Sequence, residues 1–424
     1  MRTNFPHTRL RWHRVGSATA VTAALVLAGF GTAVHADATT SSKVTWAATP
    51  CATPKKTGEL ACNSLRVTGG TTAFQKARGI TPKAADAATP SGYGPSDLQS
   101  AYGLTSASAS NGSGETIAIV DAYNDPNAEA DLAKYRSYYG LPACTSASGC
   151  FKKVSQTGST TSLPTSDAGW SEEISLDLDM VSAIAPNAKI LLVEAKSATM
   201  ANLGKAVNEA VTLGAKFVSN SYGGSESSSD TSYDSSYFNH PGVAITVSAG
   251  DGGYGAEYPA ASKYVTSVGG TALSTSSTTR GWTETVWNTS STEGTGSGCS
   301  SYDAKPSWQT DTGCTKRMIS DVSAVADPAT GVSVYDSYGV TAGWYTFGGT
   351  SASSPIIAAV YALAGTPGSS AYPAQYPYAH TSSLNDVTSG NNGSCSTSYF
   401  CTATSGYDGP TGLGTPKGVS AFTG

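Results

Sequence analysis

Charge is scarce in this sequence: Asp, Glu, Lys and Arg make up 13% of its 424 residues, well under the ~25% of an average soluble protein. The formal net charge is −5, and no basic run follows the first residues, which excludes nucleic acid as a partner class. Histidine is scarcer still. Of five, His7, His13 and His35 fall within the first 36 residues, and neither His240 nor His380 sits in a His-Gly or other catalytic context. A serine nucleophile would therefore need a base other than histidine. No Cys-His combination has the short spacing of a zinc site. Beyond residue 36 no apolar run approaches the ~20 residues that span a bilayer. What is abundant is glycine (47) and tyrosine (22), with many Ser and Thr, a polar but weakly charged surface that gains little self-repulsion when carboxylates protonate and so suits acid.

The chain begins with Arg2, Arg9, Arg11 and Arg14, then an apolar run over residues 18–29, then Val34-His35-Ala36. Small residues after a short apolar core are what a signal peptidase cuts, so residues 1–36 read as a secretory leader. The eight cysteines agree with export. They fall into four close pairs, Cys51 with Cys62, Cys144 with Cys150, Cys299 with Cys314, and Cys395 with Cys401, which implies an oxidising compartment, although spacing alone does not fix connectivity. Residues 37–90 read as an irregular short pro-segment or linker, closed by Pro90-Ser-Gly-Tyr-Gly. From residue 91 to 424 one domain is expected.

Within it, strands are expected at residues 116–120, 188–193, 216–219 and 243–248, and helices at 128–139 and 201–213. Strands alternating with helices predict an α/β fold, a parallel sheet covered on both faces, with functional groups beyond the carboxyl ends of its strands. The Ser-rich stretch at 225–236 reads as a surface loop.

Three stretches carry chemistry. Phe347-Gly-Gly-Thr-Ser351-Ala-Ser-Ser-Pro355 before an apolar run places a serine hydroxyl at a sharp turn into a helix, where N–H groups can stabilise an oxyanion; a lone Gly-Thr-Ser would serve equally as an N-cap. Trp170-Ser-Glu-Glu173-Ile-Ser-Leu-Asp177 opens a largely buried helix with Glu173 and Asp177 on one face. Two carboxyls held together can share a proton, and a solvated acidic face is the competing reading. Val247-Ser-Ala-Gly-Asp251 ends a strand in an acid that, if protonated, donates a hydrogen bond; alone it would pass for a turn former.

Together these stretches resemble the sedolisin family of serine-carboxyl peptidases, whose fold is similar to that of subtilisin. The family's Glu-x-x-x-Asp matches Glu173 and Asp177, its Ser-Ala-Gly-Asp matches Asp251, and its Gly-Thr-Ser-Ala-Ser-x-Pro matches Ser351. Tyr258-Pro-Ala-Ala-Ser, Glu284-Thr-Val-Trp287 and Asp321-Val-Ser-Ala match as well, and the likeness runs from about residue 93 to the end. The resemblance implies Ser351 as nucleophile, Glu173 as base, Asp177 as its partner and Asp251 as oxyanion donor. It implies substrate binding by Ser221, Tyr222, Gly223 and Gly224 through strand addition. Asp386 and Asp408, with carbonyls of Val387, Thr404 and Gly406, resemble the family's calcium loop, an oxygen donor set suited to Ca²⁺. The expected protein is thus a secreted, monomeric, calcium-binding serine endopeptidase active on polypeptides in acid, with no membrane attachment once its leader is gone. Its rivals are an inactive secreted binding protein of the same fold and an acyl-transfer enzyme on esters. One departure stands out: family members generally carry a large pro-domain, and only the short segment precedes the core here. Asp121, ending Ile117-Ala-Ile-Val-Asp, reads as structural.

Overall fold

Short β-branched and apolar runs bounded by glycine and polar turns become the strands of an eight-stranded sheet. The computed structural model describes residues 49–56, 58–79 and 88–424, so the leader expected at 1–36 lies outside the described residues. Across the sheet the order is Trp282–Val286, Thr266–Thr275, Ala244–Ser248, Phe217–Asn220, Thr116–Ala122, Lys189–Ala195 and Phe151–Ser155, with Val322–Val325 also paired to Thr266–Thr275. All neighbours are parallel except the hairpin of Thr266–Thr275 with Trp282–Val286. Successive side chains of a strand point to opposite faces. Ile117 and Ile119 accordingly join a core beneath the helices Ala168–Ile184 and Thr350–Ala364, while Ala118 and Val120 join a second core beneath Met200–Thr212. This is the expected α/β architecture, a parallel sheet with helices on both faces, and the strands and helices expected from periodicity are present to within two residues at each end.

The strand Thr116–Ala122 lies where the chain's path reverses. From it the chain goes outward to Phe151–Ser155 and back to Lys189–Ala195; from Phe217–Asn220 onward it grows toward the opposite edge. A crevice forms at the carboxyl end of such a switch point. Asp121 and Ser221 stand there. The helix Ala168–Ile184 is capped by Asp167, whose carboxylate accepts the Trp170 N–H at 3.0 Å, and it ends just before Pro186, which disfavours a helical residue ahead of it. Nearly every side chain from Trp170 to Ile184 is buried, four acids included.

Two stretches differ from expectation. Residues 225–236 are not simply a surface loop: Asp230–Tyr233 forms a helical turn that runs on into a wider one over Asp234–Phe238. The Asp230 carboxylate accepts the Ser227 N–H at 2.7 Å and its hydroxyl at 2.8 Å, and Phe238 is buried, so tertiary burial orders a stretch whose serines mask it. The segment before residue 90 is not irregular throughout. It contains the two-residue strands Ala61–Cys62 and Leu65–Arg66 and a helix, Ala73–Arg78, closed at its start by a Thr72–Gln75 capping box and at its end by Gly79 in the left-handed conformation. All four nearest-neighbour disulfides are formed.

Candidate active site

Gly349, at φ 95°, turns the strand Gly343–Gly348 into the helix Thr350–Ala364. The turn needs glycine twice over. Its φ is left-handed, and a Cβ there would meet Asp251 Oδ2 at 2.6 Å and Ser64 Cα at 2.8 Å. Thr350 ties the turn to the loop after Ala244–Ser248: its N–H and hydroxyl donate to Asp251 Oδ1 at 2.7 and 2.8 Å, while Gly250 N–H donates to its Oγ1 at 3.1 Å. Those bonds engage one oxygen of Asp251. The other, Oδ2, is buried and receives none. Burial holds this carboxyl well above the usual carboxylate range, opposed by the Thr350 bonds and reinforced by the charges of Glu257 and Glu173.

Ser351 occupies the first helical turn and is fully buried. Its hydroxyl donates to the Ser221 carbonyl at 3.1 Å. Pro355, four residues on, has no N–H for the Ser351 carbonyl, which instead takes a long 3.4 Å contact from the Ser221 hydroxyl. That same hydroxyl donates to both oxygens of Asp177 at 2.9 Å. Glu173 lies one turn away on the same helix face. Asp121 completes the group, with one carboxylate oxygen from each of Asp121, Glu173 and Asp177 lying within 4.8 Å of the others.

Three buried carboxyls so close cannot all ionise. Burial and the Asp121 charge hold Glu173 and Asp177 well above their ordinary range. Burial and then Glu194 push Asp121 up to about 8. The hydroxyls of Ser351 and Ser64 are near enough to Glu173 to lower it partway, yet in this arrangement the Ser351 hydroxyl points at the Ser221 carbonyl, and neither Glu173 oxygen receives a well-aligned bond. A proton acceptor thus stands beside the serine with its acceptor capacity unused.

A cleft of about 1060 Å³ reaches these groups at Asp251 and is walled in part by the chain's own segment, with Ala61, Cys62, Asn63 and Leu65 in its lining. Ala61–Cys62 pairs antiparallel with Tyr222–Ser225, Ala61 opposite Gly223 and Cys62 opposite Tyr222. Asn63 N–H then donates to the Ser221 carbonyl at 3.2 Å, and Ser351 N–H donates to the Asn63 carbonyl at 2.8 Å. Beyond Ser64, Leu65–Arg66 pairs antiparallel with Gly348 and Phe347, and Arg66 bonds Glu172 at 3.0 Å. That contact lowers Glu172, which burial on balance still raises to about 7. The Asn63 carboxamide donates to Ser248 Oγ at 2.9 Å and lies beside Glu257, a carboxyl that burial pushes up to about 7 against the lowering effect of Asn63.

The fold therefore brings Ser351, Glu173, Asp177 and Asp251 together, with the backbone of Ser221, Tyr222, Gly223 and Gly224 forming the adjoining strand. The Tyr222 ring faces inward, packed near Trp170, with its hydroxyl on Asn220. His240 and His380 bond Asn208 and the Tyr376 carbonyl. Sequence reasoning passed over Asn63 and Glu257 and read Asp121 as structural. Of these only Asp121 had a signal, its place at the carboxyl end of a parallel strand.

The loop expected to bind calcium is a separate place. Leu384–Asn385 pairs with Thr415–Pro416, which sets Asp386 beside the 404–408 loop. Asp386 Oδ2 accepts the Gly406 N–H at 2.9 Å. Asp408 is fully buried, accepting Thr404 N–H at 3.0 Å on one oxygen and the Thr411 N–H and hydroxyl on the other at 3.0 and 2.9 Å. Burial, with the Asp386 charge, raises Asp408 to about 7. Two neighbouring carboxylates, Asp386 and Asp408, held by one loop are hard oxygen donors of the kind Ca²⁺ takes.

The subtilase family model matches residues 154–397. Kumamolisin of Bacillus sp. (strain MN-32) is 33% identical over 378 residues, covering 81% of this chain and 66% of kumamolisin. Sedolisin of Pseudomonas sp. (strain 101) is 29% identical over 409 residues, covering 86% of this chain and 67% of sedolisin. The chain thus spans about two thirds of the length of each. The solved structure of Pseudomonas sedolisin, a serine-carboxyl proteinase complexed with two molecules of pseudo-iodotyrostatin, superposes with a TM-score of 0.65 at 27% identity, over 78% of this chain and 96% of that one.

Proposed function

This chain belongs to the subtilase family and, within it, to the sedolisins, which are serine-type peptidases, and from that premise we propose that it is a secreted serine-carboxyl peptidase hydrolysing peptide bonds through an acyl-enzyme in acid. Ser351 Oγ attacks the scissile carbonyl as Glu173 takes its proton. The C–N bond breaks, the amine leaves with the proton returned by Glu173, and water then cleaves the ester by the same route reversed. Asp177, Asp121 and Glu173 share protons, which keeps an acceptor available without three adjacent charges. The oxyanion is held by Ser351 N–H and by protonated Asp251. The observation that carries this reading is the asymmetry of Asp251: Thr350 donates to Oδ1, so the carboxylic proton belongs on the unpartnered Oδ2, which borders the Gly349 turn together with the Asn63 carbonyl. Polypeptides enter as a strand along Tyr222–Ser225, reading main chain before side chain.

The test is a pH–rate profile on a denatured protein, run on wild type and on Asp251→Asn. Wild type should be most active in acid and lose rate as Asp251 ionises. The asparagine variant keeps a donor at every pH, so its alkaline limb should move upward or vanish, whereas Asp251→Ala should lose ~10²–10³-fold throughout. A wild-type optimum above neutrality sinks the assignment.

Export is supported by the leader-like first 36 residues and four disulfides; among the described residues no helix is long and apolar enough to cross a membrane. Asp386 and Asp408, with the carbonyls of Val387, Thr404 and Gly406, would hold a Ca²⁺ ion that joins two loops. Chelation should then lower the thermal midpoint measured by calorimetry. Calcium at ~100 times its Kd stabilises by ~2.7 kcal/mol, and Asp408→Asn should erase the difference between calcium and chelator. Equal midpoints for wild type in both conditions would remove calcium from the reading.

A further inference from the structure

We propose that the peptide bond between Asn63 and Ser64 is the enzyme's own first substrate, and that the pocket around the Asn63 side chain makes asparagine its favoured residue on the acyl side of other bonds. The proposal rests on the peptidase reading above and adds to it a cleavage site and a substrate class.

The main chain fixes the bond. Residues 61–62 add a strand to Tyr222–Ser225, and residues 65–66 add one to Gly343–Gly348. The segment is therefore gripped on both sides of the Asn63-Ser64 pair. Between the grips, Asn63 N–H reaches the Ser221 carbonyl and the Asn63 carbonyl takes the Ser351 N–H at 2.8 Å. A carbonyl polarised by the N–H of the nucleophile's own residue, with the free oxygen of Asp251 nearby, is placed for attack by that residue's hydroxyl. On the leaving side, the Ser64 hydroxyl neighbours Glu173, so the group that takes the Ser351 proton is at hand to return it to the departing Ser64 amine. Water completes the cut, giving a carboxylate at Asn63 and an amino group at Ser64. Both cysteines of the Cys51–Cys62 bridge lie upstream, so that disulfide does not tie the released piece to the body.

The side chain fixes the preference. Asn63 Nδ2 donates to Ser248 Oγ, and the Glu257 carboxyl lies beside the carboxamide, close enough for Asn63 to lower it. Gly223 leaves room for this: a Cβ there would lie 3.1 Å from Asn63 Nδ2 and collide with the Glu257 carboxylate. A carboxamide both donates and accepts, so it suits Glu257 charged or neutral. An aliphatic residue would offer no partner to Ser248 or to the neighbouring Glu257 carboxyl, and a site built for hydrogen bonds discriminates strongly against such a residue.

Wild type and Ser351→Ala are purified from the same host, brought to acid and sequenced from the amino terminus, and wild type is used to digest a denatured protein whose new termini are mapped by mass spectrometry. Wild type should begin at Ser64, Ser351→Ala should keep the bond intact until active wild type is added, and asparagine should be enriched on the acyl side of the mapped cuts. With paired peptides differing only in that residue, Glu257→Leu should lower the Asn-to-Leu ratio of kcat/KM by at least ~10-fold. An active wild type whose bond stays whole, or a Ser351→Ala chain cut there unaided, overturns self-cleavage and leaves the peptidase reading standing. Mapped cuts with no asparagine enrichment overturn the substrate class. A wild type that cuts nothing sinks the peptidase reading itself, and the proposal with it.

Discussion

Replacing Ser351 with alanine should reduce hydrolysis of a denatured protein by at least ~10⁴-fold while the molecule stays folded. The two halves of that result have separate causes. The hydroxyl is the only atom lost that can form the acyl bond, so what remains is catalysis by the oxyanion groups and by binding. In the folded protein the same hydroxyl makes one hydrogen bond, to the Ser221 carbonyl, which Asn63 N–H also engages. A single such bond contributes ~1 kcal/mol, so the thermal midpoint should move by no more than a few degrees. Glu173→Gln should approach the alanine variant in lost turnover, because a carboxamide of the same shape cannot take a proton. If the Ser351→Ala protein retained more than a hundredth of wild-type turnover at full purity, another nucleophile would have to be sought.

The strands were legible because runs such as Thr116-Ile-Ala-Ile-Val are buried on both faces, and burial on both faces leaves a continuous apolar signal. Ser351 and the pair Glu173 and Asp177 were legible for a similar reason: each lies inside one element, where spacing along the sequence translates directly into spacing in space. Asp251 could be read because it follows closely on the end of a strand, Ala244–Ser248. The failures are all meetings between elements. Asp121 is an acid after a strand until the helix Ala168–Ile184 is laid across it, when it becomes the third member of a carboxyl cluster. Leu65–Arg66 is too short to carry any periodicity, and its conformation is dictated by the strand it joins. Asn63 and Glu257 are far apart in sequence, and the cleft alone makes them neighbours.

The same burial that builds the site should make the fold most stable in acid. Burial, with some help from neighbouring charge, raises Asp121 and Asp125 to about 8 and Glu194 to about 7, and holds Glu173, Asp177 and Asp251 well above their ordinary values. In the unfolded chain these carboxyls titrate near ~4. Between that value and their folded values the native protein therefore binds more protons than the unfolded one, and stability falls as pH rises, by ~1.4 kcal/mol per pH unit for each excess proton. Two such protons carried across two pH units amount to ~5 kcal/mol, enough to lower the midpoint by ~10 °C. The contribution is complete below about pH 4 and is lost as pH passes through 7 to 8, the reverse of a protein held by ionised salt-bridged carboxylates. Melting curves of the Ser351→Ala protein, which cannot digest itself, at saturating calcium from pH 4 to 8.5 would measure this. Glu173→Gln in that background should flatten the slope, because the neutral amide has no proton to lose. A midpoint that rose toward neutrality would mean that the carboxyl cluster is ionised in the folded protein, and an ionised Asp251 could not cradle an oxyanion.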